Sequence, residues 1–220
     1  MLTPQEVTKQ IRDITSDLIK LGLCDDQSFP SVRDDDAETT EVGLSKNIDL
    51  SIVLKNIPYS DLYEELSQSR AFNLKMLDGA LIQMMYIFKD KNIKAHRLAF
   101  FPSPSLEEYQ NNPDIYITES IYADVLERNI VTFPVRFDYD NCEKTARPIA
   151  HPRSHLTLGQ YKNCRIPVSS AISPSQFIHF ILRNFYNTAF NDFCGKITFS
   201  EKCFPESLFE EERKISHLLV

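Results

Sequence analysis

Tryptophan is absent from this chain of 220 residues, and its five glycines are scattered singly. A phosphate-cradling loop needs glycines at fixed, close offsets so that the backbone can wrap a phosphate, so nucleotide folds built on such a loop are excluded. The five cysteines (Cys24, Cys142, Cys164, Cys194 and Cys203) are odd in number and include no C-x-x-C pair. That argues against a disulfide framework and fits a reducing compartment. No apolar run approaches the roughly 18 to 20 residues of a membrane span, and Met1-Leu2-Thr3-Pro4-Gln5-Glu6 lacks the basic-then-apolar pattern of a secretory signal. A cytosolic protein with no membrane partner is the expectation. There is no internal repeat, and no G-x-S-x-G elbow to carry a nucleophilic serine.

What is present is enough for a core. The chain is 42% hydrophobic, with 15 Phe and 9 Tyr, and a domain of this length buries roughly 70% of the surface its unfolded form exposes. No cofactor is expected. The net charge of −7 is unevenly spread. Residues 24 to 41 set Asp25, Asp26, Asp34, Asp35, Asp36, Glu38 and Glu41 against Arg33 alone, whereas residues 141 to 165 set Lys144, Arg147, Arg153, Lys162 and Arg165 against Glu143. An anionic partner is therefore able to dock on an acidic protein. The acidic segment shows no apolar period and reads as a solvated, flexible loop.

Thr3, Pro4 and Glu6 form an N-cap, a first-turn proline and a capping-box acid, and Val7, Ile11, Ile14 and Leu18 follow at helical spacing, predicting a helix from 4 to about 22. Alternating residues from 47 to 56 predict a strand, with Ser60 capping a short helix through Ser69. Residues 80 to 88 and 93 to 101, joined by Lys89-Asp90-Lys91-Asn92, predict a hairpin. A short helix is expected over 122 to 128 and β structure over 130 to 139. Short strands are expected at 156 to 158 and 164 to 168, a helix capped by Ser173-Pro174, and a last helix over 205 to 217. Hairpins rather than strict strand and helix alternation indicate a single α+β domain over 1 to 220: a mainly antiparallel sheet with N-terminal and C-terminal helices packed on it.

Chemistry is concentrated in Arg136-Phe137-Asp138-Tyr139-Asp140 and His151-Pro152-Arg153-Ser154-His155-Leu156-Thr157-Leu158-Gly159. A strand over 131 to 139 places Arg136, Asp138 and Asp140 on one face, opposite Val135, Phe137 and Tyr139. Histidine titrates near neutral pH, so His151 and His155 suit acid and base roles in metal-independent cleavage of a phosphodiester, most concretely RNA. Arg136, Asp138, Arg153, Tyr161, Lys162 and Arg165 are the candidate substrate contacts. Against this stands a structural reading, in which His151 and Arg153 form a rim while His155 and Thr157 are satisfied polar groups at a strand start. Cys142, His151, His155 and Cys164 offer zinc-type ligands, but at x8 gaps unlike common zinc spacings. His155-Leu156-Thr157 matches one H-x-T element of the two-histidine phosphoesterases; no second element accompanies it. His96, His179 and His217 read as ordinary strand and helix residues.

The segments His151 to Gly159, Cys164 to Pro167 and Ser173 to Tyr186 resemble an uncharacterised bacterial family, domain of unknown function 2290. The pairing of RFDYDN with HPRSH is also similar, more loosely, to small toxins of bacterial toxin–antitoxin pairs. That likeness implies a defence or toxin setting and a nucleic-acid target; it transfers no catalytic residue. Two functions are thus expected as alternatives: a nuclease-type effector, or a non-catalytic binding subunit of a complex with a protein encoded beside it, docking through the acidic 24 to 41 or the basic 141 to 165 segment.

Overall fold

The computed structural model describes residues 2–36, 38–44, 57–106, 114, 118–125, 132–161 and 163–220. The predicted strand over 47–56 lies outside them. Helix α1 (Pro4–Lys20) starts as its sequence dictates: Glu6 N–H donates to Thr3 Oγ1 at 3.3 Å, and Thr3 N–H returns a bond to Glu6 Oε2 at 2.9 Å. Helix α2 spans Tyr59–Gln68, its N-cap being Pro58 rather than the expected Ser60. In the C-terminal half, α3 (Pro174–Phe185) begins with a second capping box between Ser173 and Gln176, and α4 (Asn187–Phe193) follows directly.

Among the described residues, nine antiparallel strands form one sheet. They are β1 (Cys24–Gln27), β2 (Ser31–Asp36), β3 (Thr39–Gly43), β4 (Leu74–Met76), β5 (Leu81–Lys89), β6 (Asn92–Phe101), β7 (Val135–Asp140), β8 (Ser154–Leu158) and β9 (Ile166–Pro167). The main path runs β1-β4-β5-β6-β7-β8-β9; β3 joins β5 beyond β4, and β2 pairs with β3. The predicted hairpin is β5 and β6. Its turn is tighter than expected, since Lys89 pairs with Asn92 and only Asp90 and Lys91 lie between them, both at positive φ (49° and 65°). Two successive residues at positive φ are what a two-residue turn requires to match the twist of its strands.

The acidic 24 to 41 segment corrects the loop reading: it supplies β1, β2 and β3. Three of its acids meet bases on neighbouring segments. Arg70 grips Asp26 through both Nη groups at 2.5 and 2.8 Å, Lys75 lies 3.2 Å from Asp25, and Lys89 lies 3.7 Å from Glu38. Pairing across strands here overrides the low strand propensity of Asp.

The two faces of the sheet differ. One carries Met84, Tyr86, Leu98, Phe100, Phe137 and Leu156 into the main core, where they meet Val7, Ile11 and Ile14 of α1 and Phe177, Ile178 and Ile181 of α3. Phe137 packs edge-on against Phe180 and Phe177, with centroids 5.2 and 6.0 Å away. On the other face, Leu62 and Leu66 of α2 cover Leu81, Ala99 and Phe101. Farther along the same face, β6, β7 and β8 carry polar side chains instead.

The last expected helix is also corrected. Beyond Pro205 the chain forms only a 3-10 turn at Glu212–Lys214. Its backbone is engaged by residues 167–170: Ser207 N–H donates to Ser169 O at 2.9 Å, and Ser169 N–H to Leu218 O at 2.8 Å. Similarly, the expected helix at 122 to 128 is, where described, a 3-10 turn at Ser120–Tyr122. No helix among the described residues is long and apolar enough to cross a membrane.

Candidate active site

Alternation along β7 buries Val135, Phe137 and Tyr139 and leaves Arg136, Asp138 and Asp140 half-buried on the opposite face. The register then fixes their neighbours. Arg97 of β6, Asp138 of β7 and His155 of β8 lie in one row across three strands, with Ala99, Arg136 and Thr157 in the next. Asp140 is occupied elsewhere, accepting from Cys142 N–H at 2.9 Å and Thr145 Oγ1 at 2.8 Å to close the turn after β7.

Asp138 holds both arginines. Arg97 Nε donates to one carboxylate oxygen at 3.1 Å and Arg136 Nε to the other at 2.5 Å. Burial pushes the Asp138 carboxyl up, but Arg136 and Arg97 outweigh it and leave the group below its ordinary range. Because each guanidinium is tethered through Nε, its Nη groups are not spent on the carboxylate. Two cations and one anion leave a positive balance on a surface shielded from full solvent screening.

His155, buried at 6% exposure, stands opposite Asp138. Its Nδ1 is 3.1 Å from the Pro152 carbonyl. A carbonyl only accepts, so Nδ1 carries the proton and Nε2 keeps its lone pair. Burial lowers the His155 pKa, while Asp138 opposes that shift. The His151 ring meets His155 edge to face, with centroids 5.3 Å apart. His151 closes a narrow loop in which Arg147 and His151 exchange backbone hydrogen bonds, both 2.9 Å.

Four of the sequence candidates, Arg136, Asp138, His151 and His155, are therefore brought together. Arg165 is close enough to His155 to disfavour its protonation, and its Nη1 donates to Ala150 O at 3.4 Å. Arg153 turns to the C-terminal segment, where its guanidinium lies over the Phe209 ring at 4.9 Å. Tyr161, 76% exposed, sits in the turn after β8, and Lys162 lies outside the described residues. The zinc set is not assembled: Cys142 is exposed beyond β7, Cys164 Sγ accepts from Leu158 N–H at 3.4 Å, and no group of three or more metal-binding side chains gathers among the described residues.

Arg97 is the residue that sequence reasoning missed. Its neighbour His96 points to the other face, packs between Tyr86 and Tyr139, and accepts Ile172 N–H at Nε2 (2.9 Å). Burial brings the His96 pKa down to about 4. Alternation along β6, with His96, Leu98 and Phe100 on the core face, is the signal that sets Arg97 on the polar face.

A protein-family model described as an uncharacterized conserved protein (DUF2290) matches residues 23–220. No curated protein and no solved structure matches the chain.

Proposed function

Since this chain belongs to the uncharacterized conserved family DUF2290, we propose its function from its own site: binding of a nucleic-acid phosphodiester and its metal-independent cleavage, with RNA as the substrate. The observation that carries the reading is the pair of Nε-tethered guanidiniums of Arg97 and Arg136, on either side of Asp138 and beside His155. Nη groups held in fixed positions suit the non-bridging oxygens of a phosphate.

In this mechanism, His155 Nε2 removes the 2′-hydroxyl proton as that oxygen attacks phosphorus. The bond from phosphorus to the 5′ oxygen breaks, and protonated His151 gives its proton to the departing oxygen. The products are a 2′,3′-cyclic phosphate and a free 5′-hydroxyl. His155 suits the base because burial keeps it neutral at pH 7. Half-exposed His151 suits the acid because water can recharge it. The setting proposed for this activity is bacterial defence or a toxin-type effector in the cytoplasm.

Purified protein in EDTA should cut RNA to cyclic-phosphate ends and leave an all-deoxy strand of the same sequence intact. Cutting both strands equally would remove the 2′-hydroxyl mechanism. The competing reading, a non-catalytic subunit docking a partner protein, draws on the acidic β1 to β3 strands and on Val32, which is 45% exposed among them. It predicts a stable complex with the protein encoded beside it, unchanged in affinity when His151 and His155 are both replaced by alanine.

A further inference from the structure

Glu212 is 1% exposed, yet it belongs to the acid-rich C-terminal segment and lies far in sequence from the histidines. Its Oε1 accepts Ile149 N–H at 3.1 Å and its Oε2 accepts Phe209 N–H at 3.0 Å. Both oxygens are thus engaged by backbone donors, which compensates the burial of a carboxylate. Ile149 is the tip of the loop that ends in His151, and it is held at φ 65°. A β-branched residue at positive φ is sterically strained, so that conformation persists only when its surroundings impose it. Two contacts hold it: Ala150 N–H donates to Pro148 O at 2.6 Å across Ile149, and the Glu212 carboxylate accepts the Ile149 N–H from the C-terminal segment. On the same segment, Phe209 supplies the ring beneath Arg153, the residue between Pro152 and β8.

We infer that Glu212 is the positioning residue for His151: its carboxylate staples the strained loop to the C-terminal segment and so sets the His151 ring against His155. The inference rests on His151 being the acid of the proposed site, but its test does not require turnover. Without the staple, Ile149 relaxes to negative φ, the exchange between Arg147 and His151 opens, and the imidazole leaves its partner.

The direct readout is the nuclear Overhauser contact between the ring protons of His151 and His155 in isotope-labelled full-length protein. Wild type should show it. Glu212→Gln, whose amide oxygen replaces only one of the two acceptors, should lose it while amide shifts in α1 and α3 stay unchanged. Adding Ile149→Gly should restore the contact at least in part, because glycine adopts positive φ without strain. This double variant also tests the inference if Glu212→Gln alone folds poorly. Persistence of the contact at wild-type intensity in Glu212→Gln would overturn it, as would a double variant that folds and still lacks the contact. Loss and rescue of the contact in a protein with no RNA cleavage would sustain Glu212's role and reject the nuclease reading instead.

Discussion

Asp138 and His155 face each other across β7 and β8, and the Asp138 carboxylate, between His155 and Arg97, is the junction of the polar row. Asp138→Ala should leave two half-buried guanidiniums without their common acceptor. A loss of about 1 to 3 kcal/mol is expected, the scale of hydrogen bonds to charged groups, read from urea unfolding at pH 7. The carboxyl is depressed in the folded state, so its contribution is present above the unfolded value near 3.9 and is lost as pH falls through the lower folded value. The variant should therefore show a flatter stability profile than wild type below about pH 4.

His96 gives a second pH signature. Its folded pKa of about 4 is below the unfolded value of about 6.5, so the unfolded chain binds the extra proton first. Stability should fall as pH drops from about 6.5 to about 4, by on the order of 3 kcal/mol from this residue. His96→Gln should remove most of that slope while lowering stability at pH 7, because the stacking with Tyr139 and the edge contact with Tyr86 are lost. Denaturant melts at three pH values decide it; an undiminished slope would exclude His96 as the source.

Helices α1 and α3 and the hairpin were legible in the sequence because their causes are local. The Thr3 and Ser173 capping boxes, the β5 and β6 pattern and the alternation of β7 all lie within a few residues of chain. What lay beyond reach was non-local. Arg97 joins Asp138 through strand register, with no signal in the 131 to 165 window that held the other candidates. The Asp-rich segment supplies three strands through ladders with β4 and β5, and Arg70, Lys75 and Lys89 meet Asp26, Asp25 and Glu38 there. Residues 205–217 have a helical composition, but 167–170 take up their backbone groups. Arg153, read as a substrate contact, instead lies over Phe209, a partner 56 positions away that no short-range pattern identifies.

Gly159 turns the chain out of β8 at φ 64°, with the Tyr161 ring 3.5 Å from where a Cβ would stand. Gly159→Ala should cost about 1 kcal/mol or somewhat more, from the left-handed backbone. Gly195→Ala, with nothing within 4 Å and no positive φ, should be neutral or slightly stabilising by thermal melting.

Phe137 links the site strand to α3 through Phe177 and Phe180. Phe137→Ala should destabilise by about 3 to 5 kcal/mol, while Phe137→Leu, which keeps most of the volume, should cost distinctly less. Equal losses would mean that the edge-on ring contacts, not the filled volume, hold α3 against β7.

Single-turnover cleavage of a defined RNA in EDTA tests the nuclease account most directly, comparing wild type with the His151→Ala, His155→Ala double variant. The account predicts at least a ~100-fold fall in rate, the scale of general acid–base catalysis, with melting temperature unchanged within a few degrees. Equal rates in the two proteins, or no metal-free cleavage by wild type, would contradict it.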